Sequence, residues 1–313
     1  MVNVAIVGLG RIGFDYGKNK NFTHFHSILK FSSFKIVSLV DKNIYIKKKI
    51  PNNFKKFFFS RISDIPLKQK IDLVIISSSD ESHYQNILEV IKFKPKVIIS
   101  EKPISRKYKE ILKIKKILKL NKINLIVNYS RRFNNNFIKI KKRLTDDYFG
   151  KIKYVRMHYS RGVIHNSIHL LDLSLWYFGE PLKYTFKNKK KSTTIKKDYS
   201  ADIILEYDTF SVYILSCDIG NLGNEEIDII GEKKRVFVDH SMKIRYFSIK
   251  NHKKFKNTKT FFNFKTEDIN FENNLINLYK MAIRLLNKKN YSLDSSINYS
   301  LSLHKVLEKK LNK

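Results

Sequence analysis

The 313-residue chain holds one cysteine, Cys217. An internal disulfide is therefore excluded, and so is a metal site built from several thiolates. Glycine is scarce, at 10 residues, against a usual share of roughly 7%. No apolar run approaches the roughly 18 residues that a membrane-spanning helix needs. The short apolar stretch at residues 4–9 lacks preceding basic residues and a small-residue cleavage pattern, so no signal peptide is read. Acids are few as well: 28 Asp plus Glu face 62 Lys plus Arg, for a net charge of +34. Such an excess usually points to nucleic acid or an anionic surface. Here it is spread along the whole chain, mostly as lysine, beside abundant Asn, Ile, Phe and Tyr, and no nucleic-acid module is recognisable. Codon drift toward A and T accounts for this pattern. A basic field that attracts phosphorylated small molecules is compatible with it. Hydrophobic residues make up 42% and charged residues 29%, enough apolar matter for a core. The expectation is a soluble, cytoplasmic, globular protein with no membrane partner and no specific nucleic-acid partner.

The length favours two domains. Residues 2–9 form a short apolar run ending at a glycine-rich turn, too short for a helix and read as a buried strand. Residues 34–41, 71–76, 96–100 and 123–127 repeat the theme. Helical spacing occupies residues 83–93 and 108–120 between them. Strands alternating with helices imply βαβ units and a doubly wound parallel sheet. Past residue 150 the pattern changes. Residues 151–159 alternate as a strand, and 169–178 have helical apolar spacing stopped by Gly179 and Pro181. Strand-like runs follow at 202–207, 211–216, 226–230 and 235–238, as in a large, open, mostly antiparallel sheet. Residues 250–266 carry little signal, and 296–311 read as an amphipathic helix. The expected fold is α/β: a Rossmann domain at 1–127 and a substrate-binding and oligomerisation domain at 128–313. The C-terminal helix is a candidate to pack back on the first domain.

Gly8-Leu9-Gly10-Arg11-Ile12-Gly13 matches G-x-G-x-x-G directly after a strand, and a helix is expected to open there. Gly8 suits a tight turn, Gly10 a close approach of backbone amides to a pyrophosphate, and Gly13 close helix–strand packing. Arg11 and Ile12 lie within the same turn, whose helix N-terminus is expected to face the phosphates. Asp41 ends the next strand, placed to accept from the adenine-side ribose hydroxyls. Its charge repels a 2′-phosphate, which favours NAD over NADP, with Lys42 next to it working the other way.

Beyond these residues the chain resembles the Gfo/Idh/MocA oxidoreductases. The resemblance rests on Val7–Gly13, on His24 followed by Asp41, and on Ser77-Ser78-Ser79 through His83. It continues through Glu101-Lys102-Pro103 after an apolar strand, Arg131-Arg132-Phe133, residues 149–152 and His169-Leu170-Leu171-Asp172. It implies a Rossmann domain followed by an α/β domain whose large sheet often forms the interface of a homodimer or homotetramer. It also implies hydride transfer between a nicotinamide held between the domains and a sugar-like or cyclitol-like carbinol, including nucleotide-linked sugars.

By that resemblance Glu101 positions the nicotinamide ribose, Ser78 lines the cofactor, and Lys102 stands beside the carbinol oxygen. A lysine there can stabilise developing alkoxide charge. His169 is the acid/base candidate, since its unperturbed pKa lies near working pH. Asp172, one turn on, orients that ring or binds a substrate hydroxyl. Arg132 is a substrate-binding candidate, with structural ion pairs as the alternative for it and for Arg131. His83 is read as packing, not catalytic. The family often has an aspartate four residues before the histidine, and here that position is His165. His165 either takes over as a second proton relay or marks lost activity, which makes a non-catalytic or regulatory NAD-binding protein the alternative reading. His165, His169 and Asp172 also share the spacing of a metal face. An N-cap at Asn166 or Ser167 would leave His165 outside the helix, so no metal is expected.

Overall fold

The computed structural model describes residues 1–17, 20–217, 219, 222–223, 225–287 and 294–311. The chain divides into two compact units. Unit 1 joins Met1–Phe133 with Phe271–Lys313, and unit 2 is Asn134–Asn270. Residues 128–133 and the segment from Phe271 onward thus fall in unit 1, in keeping with a C-terminal helix that packs on the first domain.

Unit 1 carries six strands: β1 (Val2–Val7), β2 (Phe34–Val40), β3 (Phe58–Phe59), β4 (Leu73–Ile76), β5 (Val97–Ser100) and β6 (Asn124–Val127). Their order is β3-β2-β1-β4-β5-β6, all neighbours parallel. A parallel sheet is covered on both faces, so its strands read as continuous apolar runs. All four residues of β4 and of β5 are buried. The covering helices are α1 (His24–Ile28), α2 (Ile46–Lys49), α3 (His83–Val90), α4 (Tyr108–Leu120), and, after unit 2, α7 (Asn274–Asn287) and α8 (Asp294–Leu311). Leu275, Leu278, Tyr279, Ala282 and Leu285 of α7 join the core formed by Ile6, Leu39, Ile75 and Ile99. A purely local reading of the βαβ pattern misses this closure, because the last layer of the sheet comes from the far end of the chain.

Unit 2 holds α5 (Asn135–Thr145), α6 (Ile168–Phe178) and eight strands: β7 (Ile152–Tyr159), β8 (Lys183–Lys191), β9 (Tyr199–Glu206), β10 (Ser211–Ser216), β11 (Glu226–Gly231), β12 (Lys234–Val238), β13 (Lys243–Asn251) and β14 (Lys259–Asp268). The order is β14-β13-β12-β11-β7-β10-β9-β8, antiparallel except for β7 beside β10. Val155, Met157 and Tyr159 alternate as the buried face of β7. Val212 and Ile214, their partners on β10, share that face. The protein is therefore α/β, with a Rossmann-type sheet and a large mostly antiparallel one.

Candidate functional site

The glycine turn follows β1 at the carboxyl edge of the parallel sheet, beside β4, where β1 also meets β2. Open α/β sheets bind ligands at such a switch point. Gly8 has φ +90°, and a Cβ on it would lie 2.3 Å from the backbone nitrogen of Ser78. A Cβ on Gly13 would lie 2.0 Å from the carbonyl oxygen of Gly8. Both positions therefore exclude any side chain. Gly10 is different: nothing lies within 4 Å of where its Cβ would be. That open space is what a pyrophosphate approaching the backbone requires.

The expected helix does not open here. The amides of Phe14 and Asp15 both donate to the Gly10 carbonyl, closing a single turn. Gly17 then takes φ +59°, and α1 starts only at His24, capped by the Thr23 side chain. The first amides of α1 do not face a ligand either, since His24 donates to the Ile12 carbonyl and Phe25 to that of Gly13. Among the described residues no backbone acceptor takes the N–H of Arg11, Ile12 or Gly13. Those three amides, not a helix dipole, are the donors of this turn that could meet an anion. The Arg11 guanidinium lies over the Tyr16 ring at 4.4 Å.

Asp41 follows β2 and holds the turn from the side. Its Oδ2 accepts from the Leu9 amide at 2.6 Å and its Oδ1 from Asn43 at 2.8 Å. A carboxylate has about four lone-pair positions, so acceptor capacity remains for ribose hydroxyls. Ser77 Oγ donates to the Gly8 carbonyl at 2.8 Å. Ser78 is half-buried, and its Oγ accepts from Ser82 and from Asn86 Nδ2, each at 2.8 Å.

Glu101-Lys102-Pro103 follows β5. Glu101 Oε1 accepts from His24 Nε2 at 3.0 Å and from Asn128 Nδ2 at 2.6 Å. Burial by itself would raise the Glu101 pKa. The interaction with His24, through its hydrogen bond and its electrostatics, outweighs it with help from Asn128 and the Lys102 charge, and holds the carboxyl below its ordinary range. His83, the packing histidine, is buried between two carbonyls: Nδ1 lies 2.7 Å from Pro103 O and Nε2 2.9 Å from Ser78 O. Lys102 is thus flanked by two residues that buried histidines hold in place. Arg132 stacks over Tyr299 of α8 at 3.8 Å, and Arg131 is buried in the same short turn.

In unit 2, His165, His169 and Asp172 lie on one continuous helical stretch. A π turn at Val163–Ser167 runs directly into α6. Ser167 is helical and makes no side-chain cap, so His165 is part of the helical run, contrary to the capping expectation. The capping acceptor is Asp198, which takes the amides of Ile164 at 3.1 Å and His165 at 2.9 Å. His165 is exposed, His169 half-buried and Asp172 buried. Among the described residues no group of three His, Cys, Asp or Glu is placed to hold a metal.

Sequence reasoning missed Asp198, Tyr279 and Asn128. The first two act at sequence separations of 33 and 255 residues, with no local motif to announce them.

Residues 2–129 match the oxidoreductase family with an NAD-binding Rossmann fold, Gfo/Idh/MocA. The chain is 23% identical over 268 residues to a myo-inositol 2-dehydrogenase of Thermotoga maritima, a match covering 76% of this chain and 75% of that protein. It is 24% identical over 204 residues to an inositol 2-dehydrogenase/D-chiro-inositol 3-dehydrogenase of Halalkalibacterium halodurans, covering 60% and 56%. An oxidoreductase from Agrobacterium radiobacter, solved with NAD+, L-tartaric acid and magnesium, superposes with a TM-score of 0.79 at 15% identity, covering 99% of this chain and 95% of that one. Among the described residues no helix is long and apolar enough to cross a membrane.

Proposed function

Starting from a chain that belongs to the Gfo/Idh/MocA oxidoreductases, we propose that it transfers a hydride between NAD and a secondary hydroxyl or ketone of a sugar or cyclitol. The observation that carries this reading is the pairing of the glycine turn, open only at Gly10, with the histidine-held Glu101-Lys102-Pro103 segment. The amides of Arg11, Ile12 and Gly13 would hold the pyrophosphate. Asp41 would hold the adenine-side ribose, its charge favouring NAD over NADP. Ser78 and Glu101 complete the cofactor residues. The bound nicotinamide supplies the hydride acceptor.

The remaining steps belong to this chain's own side chains. The Lys102 ammonium stabilises negative charge developing on the carbinol oxygen. His169 takes the hydroxyl proton, and Asp172 orients its ring or binds a neighbouring hydroxyl. His165 occupies the place of the usual acid as a second proton relay or a hydroxyl-binding group. Arg132 serves substrate through the edge of its guanidinium, since one face is taken by Tyr299. The inositol dehydrogenase relatives support a polyol substrate. The large sheet of unit 2 is proposed as the interface of a homodimer or homotetramer.

Lys102→Ala is expected to lower turnover of a polyol such as myo-inositol by roughly 100- to 1,000-fold. NADH affinity should stay nearly unchanged, as read by fluorescence titration. Unchanged turnover would remove Lys102 from the mechanism. A second reading, an NAD-binding protein without turnover, is favoured by His165 at the acid position. NADH binding with no reduction across a panel of polyols and nucleotide sugars would select it.

A further inference from the structure

A buried polar chain crosses unit 1 from α7 to the segment after β5. Tyr279 Oη lies 2.6 Å from His24 Nδ1, and His24 Nε2 lies 3.0 Å from Glu101 Oε1. His24 and Tyr279 are both fully buried. Glu101 is held ionised, so it can only accept, and His24 Nε2 must carry a proton. Burial, and secondarily the Glu101 charge, push the Tyr279 hydroxyl well above its ordinary pKa, so it stays a donor. Every partner is satisfied when Tyr279 donates to Nδ1 and Nε2 donates to the carboxylate. Only one tautomer does this. Asn128 Nδ2 takes a second position on the same Oε1.

We infer that Tyr279 and His24 are positioning residues which, through Glu101, commit Oε1 to the protein and leave Oε2 as the oxygen that receives a ribose hydroxyl. This deepens the NAD-dependent reading and rests on it. The α7 helix thereby acts on cofactor binding without touching the cofactor. Its Tyr279 ring is fixed by edge contacts with Phe31 and Phe34, so the hydroxyl is aimed by packing. The relay runs one way: losing the Tyr279 hydroxyl leaves Nδ1 buried without its donor and frees the ring to turn, which weakens the hold of Nε2 on the carboxylate.

The test uses NADH titration and 15N-histidine NMR on the full chain. Wild-type His24, assigned by the loss of its signals in His24→Leu, should show a protonated Nε2 and a bare Nδ1. Tyr279→Phe keeps the ring packing. It should leave Nε2 protonated, shift the Nδ1 resonance and weaken NADH binding several-fold. His24→Leu should weaken it by roughly tenfold, the scale of one hydrogen bond to a charged group. His24→Gln places an amide donor near the position of Nε2 and should recover most of that loss, which a merely structural role would not. The Tyr279→Phe/His24→Leu double variant should be no weaker than His24→Leu alone. A proton on Nδ1 in the wild type overturns the relay. So does a Gln variant as weak as the Leu variant, or losses that multiply in the double. Should the wild type bind no NADH, the NAD reading fails, and the tautomer measurement still decides the relay separately.

Discussion

Two turns of this protein are each held by one carboxylate, and the two carboxylates do different jobs. In unit 1 Asp41 grips the glycine turn through the Leu9 amide, 32 residues away. In unit 2 Asp198 grips the start of the π turn and α6 through the amides of Ile164 and His165, 34 and 33 residues away. Asp41 is half-exposed, holds one turn amide and has lone pairs to spare. Asp198 is buried and also accepts from the Tyr199 amide, so its capacity goes into the fold. The contrast separates a carboxylate with acceptor capacity left over from one spent on architecture. Sequence separation alone does not tell them apart; exposure and residual acceptor capacity do.

Filling the turn that Asp41 holds should have the largest effect. Gly8→Val forces a β-branched residue into φ +90° and puts its Cβ 2.3 Å from Ser78 N. Strain and overpacking together should cost about 3–5 kcal/mol. NADH binding should be lost, because the chain can relieve the clash only by moving the turn away from β4. Urea unfolding and NADH titration measure both. A variant that binds NADH normally would show that the turn is not the cofactor cradle.

The same contrast governs what was legible in the sequence. Leu73–Ile76 is buried at all four positions, and its apolar run stands out. Asp41 is readable because parallel βαβ topology places the end of β2 beside the turn after β1. Strand β14 is the opposite case: it is an edge strand exposed at nine of its ten positions, so no burial alternation marks it. The edge strand β8, with Lys187 and Lys189–Lys191, is hidden in the same way. The missing helix after Gly13 has a local cause, since Gly17 at positive φ turns the chain out after one turn. The relay behind Glu101 was unreadable for a topological reason, because α7 reaches its sheet only after the whole of unit 2 intervenes.

Acid sharpens the comparison by loading unit 1. His304 of α8 is buried, its Nε2 has no hydrogen-bond partner, and burial pushes its pKa from 6.5 down to about 4. The folded protein therefore keeps this ring neutral, while the unfolded chain takes up a proton below pH 6.5. The stability tied to the neutral ring is complete above pH 6.5 and is lost as the pH falls toward 4. The loss approaches about 3 kcal/mol. Urea midpoints measured across that window should fall in the wild type and flatten in His304→Leu. Hydrogen exchange should show α8 and β6 loosening before α6. An unchanged slope in the variant would mean that other groups set the acid limb.

The smallest effect comes from the two carboxylates themselves, and it tests the division of labour directly. Asp198→Ala strips the acceptor from the Ile164 and His165 amides at the head of α6. Losing a helix-start acceptor costs about 1–2 kcal/mol, with part-buried donors left unsatisfied. Exchange protection at the head of α6 should drop while NADH affinity holds, because Asp198 is assigned no cofactor contact. Asp41→Ala should behave in reverse. It gives up the Leu9 and Asn43 amide contacts, worth about 1–2 kcal/mol of stability together, and loses the hydrogen bonds proposed for the adenine-side ribose. NADH affinity should therefore fall by roughly tenfold, while the gap between NADH and NADPH narrows as the repelling charge disappears. If both variants changed stability alike and neither changed affinity, Asp41 would be a second Asp198, and the ligand assignment of the turn would rest on Gly10 alone.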